Sequence, residues 1–115
     1  MSSMLTNKSC YLGPLEKKIL EIVWAENCPS VKCVLLELNK SRKKSEKLAY
    51  TTVMTIMKRL VKKKILTRKK EGRSYHYEAK KSKYQFIKTV THCTIQNLIS
   101  SFGDLAIQAL KEELQ

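Results

Sequence analysis

The chain has 115 residues, of which 43% are hydrophobic, enough for one domain with a modest core and too many for general disorder. It contains no apolar run of the ~18 residues that a membrane span requires. The first dozen residues are polar and lack the hydrophobic core of a signal peptide. We therefore expect a cytoplasmic protein without a membrane partner.

The formal net charge of +13 is concentrated in one stretch of the sequence. Residues 40–81 contain sixteen Lys and Arg residues and three acidic residues, whereas the rest of the chain is neutral. Such a concentrated field attracts polyanions, and binding to phosphates releases counterions. The segregation favours nucleic acid over a lysine-rich surface that serves only solubility. An anionic membrane is a weaker reading, because no strong amphipathic helix accompanies the charge.

Two helices are predicted after a flexible N-terminal segment, residues 1–11. Gly13 and Pro14 open the first helix, and Ser30 is a suitable N-cap for the second. We expect Trp24 to lie in the core or to cover the second helix. The predicted inner side of the first helix is Leu15, Ile19, Ile22 and Val23, and its outer side is Glu16, Lys17, Lys18 and Glu21. An exposed loop, residues 41–47, follows the second helix.

A third helix is predicted over residues 49–64. Its apolar residues recur at three- and four-residue intervals and form a buried face: Val53, Ile56, Met57, Leu60 and Val61. The side chains on the other face are short and carry hydroxyl groups at the beginning of the helix, and they are basic towards its end. Two short strands follow, residues 65–70 and 74–79, joined by a turn at Glu71-Gly72-Arg73.

Three helices and a hairpin in this order are typical of a winged helix-turn-helix domain, here residues 12–80. The third helix would enter the major groove, where short side chains allow close approach and later cations reach phosphates. Arg59 has a second reading, as a partner in a surface ion pair. Tyr75 and Tyr77 are expected to pack one face of the hairpin on the domain, with a hydroxyl that contacts a phosphate as the second reading. The predicted DNA contacts are Thr51, Thr52, Met54, Thr55, Lys58, Arg59, Lys62, Lys70 and Arg73.

Residues 81–115 are predicted to form a fourth helix and a short final helix, separated by an interruption at Gly103. These segments carry more apolar residues than one side of a helix can hide against a small domain. We interpret them as a dimerisation region. Its predicted contacts are Ile95, Leu98, Ile99, Phe102, Leu105, Ile107 and Leu110. The expected fold class is therefore mainly α with a small β-hairpin, a winged helix-turn-helix domain followed by C-terminal dimerisation helices.

The composition argues against an enzyme, a cofactor or a metal site. Three glycines leave no phosphate-binding glycine loop, and the carboxylates are scattered without an acid–base pair. Neither histidine lies near a candidate nucleophile. The four cysteines lack metal-ligand spacing and are expected to be reduced thiols.

The segment LAYTTVMTIMKRLVKKKIL, residues 48–66, resembles the recognition helix of the penicillinase repressor family. The segments LGPLEKKILEIVW (12–24) and GRSYHYEA (72–79) resemble the first helix and the wing of that family. The resemblance covers residues 12–110. It implies a homodimeric repressor that occludes a promoter by binding an operator with an inverted repeat. It also assigns the wing role to Arg73 and the recognition-helix role to Thr51, Thr52, Met54, Thr55 and Arg59.

In this family, repression ends by sensor-triggered proteolysis or by a metal bound to a cysteine-rich tail. This chain has no cysteine cluster in its tail and no Asn-Phe dipeptide, the bond cut in β-lactam-responsive members. The inducer therefore stays open among a β-lactam, a metal and another stress, and antibiotic resistance is one reading. Two other functions are retained: a winged helix that binds an acidic protein, and a nucleic-acid binder without sequence preference.

Overall fold

The computed structural model describes residues 12–27 and 29–115. Within them the protein is mainly helical with one β-hairpin, which confirms the predicted fold class. The helices and strands, in chain order, are α1 (Pro14–Ala25), α2 (Val31–Asn39), α3 (Tyr50–Lys62), β1 (Leu66–Glu71), β2 (Ser74–Ala79), α4 (Lys83–Phe102) and α5 (Asp104–Glu113). The segment predicted to be flexible, residues 1–11, lies outside the described residues.

The chain forms two compact units. One contains Gly13–Lys83, with the first three helices and the hairpin, and the other contains Tyr84–Gln115. In the first unit the core includes Leu20, Val34, Val53, Met57 and Leu60, which are 0% exposed. The predicted inner face of α3 is thus buried along its centre, whereas Ile56 and Val61 at its edges are half-buried.

The buried face of α1 differs from the predicted one by a small rotation. It contains Glu16, Ile19, Leu20 and Val23, at helical positions i, i+3, i+4 and i+7. The prediction that Glu16 faces solvent is wrong, because its carboxylate accepts the Gly13 N–H at 3.0 Å and the Lys63 ammonium at 3.1 Å. These partners satisfy a charge that could not otherwise be buried.

Side chains fix both ends of α2. The Ser30 hydroxyl accepts the Cys33 N–H at 3.2 Å, as the predicted N-cap requires. At the other end, Asn39 Oδ1 accepts the Leu48 N–H at 2.8 Å, and Asn39 Nδ2 donates to the Leu48 carbonyl at 3.1 Å. This pair of bonds closes the connector between α2 and α3. The connector is exposed over residues 41–47 apart from the half-buried Arg42, and part of it, Lys44–Glu46, forms a 3-10 turn.

The α3 helix ends in a Schellman motif. The Lys64 N–H donates to the Val61 carbonyl at 2.9 Å, and the Ile65 N–H donates to the Leu60 carbonyl at 3.0 Å. Lys64 occupies the left-handed position of this motif with φ 65°, where glycine is the usual residue. The motif redirects the chain from α3 into β1.

Hydrogen bonds join the hairpin to the segment before α2, and the residues that follow the hairpin to α1. Its antiparallel register runs from Leu66–Ala79 to Glu71–Ser74, and Gly72 takes φ 63° in the two-residue turn. Tyr77 is buried, and its N–H donates to the Pro29 carbonyl at 3.0 Å. Beyond β2, the Trp24 indole donates to the Lys81 carbonyl at 3.0 Å. Trp24 of α1 therefore fixes the position of the segment that follows β2.

The second unit has almost no buried core within the described residues. No residue of α4 is buried, and Ala106 is the only buried residue of α5. Gly103 joins the two helices with φ 64° and ψ −138°, a conformation that excludes residues with a Cβ. The expectation of reduced thiols is right for Cys33, which is free, and wrong for Cys93, which is disulfide-bonded.

Candidate nucleic-acid interface

One face of α3 is buried and the opposite face is open to solvent. Thr51, Thr52 and Thr55 are exposed near its beginning, and Met54 is half-buried. Because α3 begins at Tyr50, these short side chains occupy its first two turns. Their hydroxyl and methyl groups suit hydrogen bonds and apolar contacts at the edges of DNA bases.

The second half of the same face is cationic. Lys58, Arg59 and Lys62 are all exposed. Thr51, Thr55, Lys58 and Lys62 follow one another at spacings of four, three and four residues, so they form one stripe along the helix. The exposed face of α3 thus presents hydroxyl groups first and cations after them, the order expected of a helix that binds in the major groove.

Arg59 also acts on the interior of the unit. Burial raises the pKa of the Glu16 carboxyl, but the Gly13 N–H and the ammonium of Lys63 lower it, with a further lowering by the charge of Arg59. The resulting pKa lies below its usual value of 4.5. The Arg59 side chain is exposed, and its charge lowers the pKa of a buried carboxylate, but it forms no ion pair with a carboxylate of the described residues.

A groove of about 470 Å³ connects α3 with α2 and the hairpin. It brings together three of the predicted contacts: Met54, Lys58 and Arg73. Its remaining lining residues are Ser30, Val31, Lys32, Tyr50, Ser74, Tyr75 and Tyr77. Three cations and several hydroxyl groups line this groove, which gives it the chemistry of a binding surface for phosphate oxygens.

The hairpin presents a basic outer surface. Lys70 and Arg73 are exposed, the latter in the two-residue turn after Gly72. The guanidinium of Arg68 lies 4.2 Å from the centre of the Tyr75 ring, an arrangement typical of a cation–π contact. Tyr77 is packed as expected, whereas Tyr75 is 38% exposed and lines the groove.

Sequence reasoning missed two residues of this surface. Lys32 lies in the first turn of α2, and Tyr50 begins α3 with 49% of its surface exposed. Tyr75, for which the sequence leaves a phosphate contact open, also lines the groove. The available signal was the position of Lys32 in the first turn after the cap at Ser30. The approach of the hairpin to α2 depends on tertiary packing and leaves no local pattern.

None of the residues predicted for dimerisation is buried in the single chain. Leu98, Phe102 and Leu105 are 38%, 65% and 75% exposed. Ile95, Ile99, Ile107 and Leu110 are half-buried. An apolar groove of about 400 Å³ on this unit is lined by Leu98, Phe102, Leu105, Ala106, Ala109, Leu110 and Glu113. An exposed apolar surface of this kind is typical of an association site.

The described residues contain no group of three side chains arranged to hold a metal ion. None of the helices in the same part of the chain has the length and apolar character needed to cross a membrane.

A family model described as the penicillinase repressor matches residues 12–115. Two curated relatives, both transcriptional regulator BlaI of Mycobacterium tuberculosis (strains CDC 1551 / Oshkosh and ATCC 25618 / H37Rv), are 30% identical to the chain over 66 residues. The matched region is 57% of this chain and 46% of each relative. The chain thus spans about half the length of the curated relatives it matches.

Proposed function

The chain belongs to the penicillinase repressor family, and from that premise we propose that it is a dimeric, sequence-specific DNA-binding transcriptional repressor. Each winged-helix unit reads one half-site of an operator with an inverted repeat, and the bound dimer occludes a promoter. The observation that carries this proposal is the exposed face of α3, with threonines in its first turns and cations after them.

Affinity and specificity have different sources in this proposal. Lys58, Lys62, Lys70 and Arg73 bind phosphates, which fix the register of the protein but carry no sequence information. Thr51, Thr52, Met54 and Thr55 contact base edges in the major groove, where each base pair presents its own pattern of donors and acceptors. Arg73 reaches the minor groove or a flanking phosphate from the turn of the hairpin.

Dimerisation uses the apolar surface of α4 and α5. Apolar side chains as open as Leu105 and Phe102 are stabilised when a second copy removes them from water, at roughly 25 cal/mol per Å². The symmetry of such a dimer would match the symmetry of an inverted repeat.

The regulatory setting comes from the family resemblance. It consists of a β-lactam, metal or other stress-response operon as the target and release by a sensor-triggered protease or by a bound ligand. We place the protein in the cytoplasm because its proposed partner is promoter DNA.

The test is fluorescence anisotropy of the full chain with DNA from upstream of its own gene and with a scrambled duplex, near physiological salt. Specific complexes are typically ~10³-fold or more tighter than non-specific ones, and we expect such a preference. Equal, salt-sensitive binding to both duplexes would indicate a sequence-indifferent binder or an operator elsewhere. No binding to either would favour an acidic protein as the partner.

A further inference from the structure

Five cations lie in the segment between α2 and α3, outside the DNA contacts assigned above. This segment, residues 40–47, is called the basic connector; it contains one acid, Glu46, and the cations Lys40, Arg42, Lys43, Lys44 and Lys47. Lys40 pairs with Glu37 at 3.0 Å. Lys43, Lys44 and Lys47 are exposed and form no ion pair with a carboxylate of the described residues.

The basic connector has a fixed shape. The two hydrogen bonds between Asn39 and Leu48 close its ends. Inside it, the Glu46 N–H donates to the Lys43 carbonyl at 2.8 Å, and the Arg42 guanidinium donates to the Glu46 carbonyl at 3.3 Å. Because the backbone is ordered before binding, holding these cations against a partner costs less conformational entropy than it would in a flexible loop.

The closure also determines where these cations lie. Leu48 stands two residues before Tyr50, so the basic connector projects at the N-terminal end of α3, the end that carries the threonines. The cations of α3 itself begin at Lys58, about 12 Å further along the helix at 1.5 Å per residue. The major groove is also about 12 Å wide and is bordered by two phosphate backbones. A helix that crosses the groove with cations at both ends would therefore bring them to phosphates on both sides.

We propose that the basic connector is a second phosphate-binding surface, which binds the DNA backbone on the side of the major groove opposite to the one bound by the cations of α3. This inference rests on the proposed function, since its partner is the DNA proposed there. Phosphate contacts add affinity and fix the register, so the connector strengthens binding to all duplexes alike.

The test compares two matched double variants of the full chain. Lys43→Gln/Lys44→Gln removes two connector cations, and Lys17→Gln/Lys18→Gln removes two adjacent, exposed cations of α1. Anisotropy is measured over a range of salt concentrations with the upstream and the scrambled duplex. Each lost phosphate contact lowers the slope of log K against log salt by about 0.9. The connector variant should lose about 1.8 per protomer on both duplexes and keep the wild-type preference between them, whereas the α1 variant should keep the wild-type slope.

Equal slopes for the two variants would overturn the inference. An equal reduction would be an effect of total charge, and two wild-type slopes would mean that the connector binds no phosphate. A changed preference with an unchanged slope would also overturn it, since the connector would then act on base reading. A wild-type protein that binds both duplexes equally would indicate a sequence-indifferent binder or an operator elsewhere, yet the two slopes would still decide the role of the connector. Absence of wild-type binding to either duplex would overturn both proposals. Thermal unfolding of each variant checks that the fold is kept.

Discussion

The Nζ atom of Lys63, one residue beyond the end of α3, lies 3.1 Å from Oε2 of Glu16 in the first turn of α1. Glu16 is 8% exposed. The same carboxylate accepts the Gly13 N–H at 3.0 Å and so caps α1. One side chain therefore stabilises the start of the first helix and fixes the end of the helix proposed to read DNA.

We predict that Glu16→Gln lowers the free energy of unfolding by about 1–3 kcal/mol near neutral pH, because it leaves the Lys63 ammonium without an opposite charge. The pKa of Glu16 lies below its usual 4.5 in the folded protein. Its stabilising contribution is therefore fully present above that value and is lost as the pH falls through the lower, folded-state pKa. The difference between wild type and variant should shrink over this acid range in urea titrations.

Glu21→Gln is the matched control for this variant. Glu21 pairs with Lys83 at 2.8 Å, but both side chains are about half exposed. Exposed pairs contribute little, so we expect a change of at most about 0.5 kcal/mol. Equal losses for the two variants, or a loss at Glu16 that persists unchanged in acid, would contradict the role given to the buried pair.

We predict that Lys64→Gly stabilises the protein by about 0.5–1 kcal/mol. The left-handed conformation costs a residue with a Cβ roughly 1–2 kcal/mol, part of which is offset by the greater entropy of glycine in the unfolded chain. Lys64→Ala removes the same charge but keeps the Cβ, and should bring no gain. Chemical denaturation measures both, and equal effects of Gly and Ala would assign the change to charge.

We predict that Thr52→Leu/Thr55→Leu abolishes the preference for operator DNA while the fold persists. Both side chains are exposed on α3, so the larger side chains meet DNA and not the core. Thr91→Leu, at an exposed position of α4, is the control and should keep the preference. Anisotropy on the upstream and scrambled duplexes measures the ratio, and unchanged discrimination by the double variant would disprove base reading by these threonines.

Structural features that depend on a few neighbouring residues could be predicted from the sequence, whereas contacts between distant segments could not. Pro14 and Ser30 mark helix starts because capping is local chemistry. Glu16 looked like a solvent-facing residue because its partner Lys63 lies 47 residues away. The bonds between Asn39 and Leu48 likewise span the whole basic connector and follow no periodic pattern.

Substitution of an exposed apolar residue of α5 tests dimerisation without disturbing the fold of the single chain. Leu105 is 75% exposed, so Leu105→Glu removes little buried surface from the single chain. We predict that it shifts the protein towards monomer in sedimentation velocity and weakens operator binding. Leu36→Glu, at a leucine of α2 that is 62% exposed, should leave the sedimentation coefficient unchanged. A wild-type protein that sediments as a monomer would contradict the dimer directly.

Selection of bound duplexes from a random-sequence DNA library, with the full chain near physiological salt, tests the central claim most directly because it presupposes no operator. We predict enrichment of an inverted repeat whose half-site centres lie about 10 base pairs, or a multiple of that distance, apart. A bound pool that is as random as the starting library would contradict sequence-specific recognition by α3.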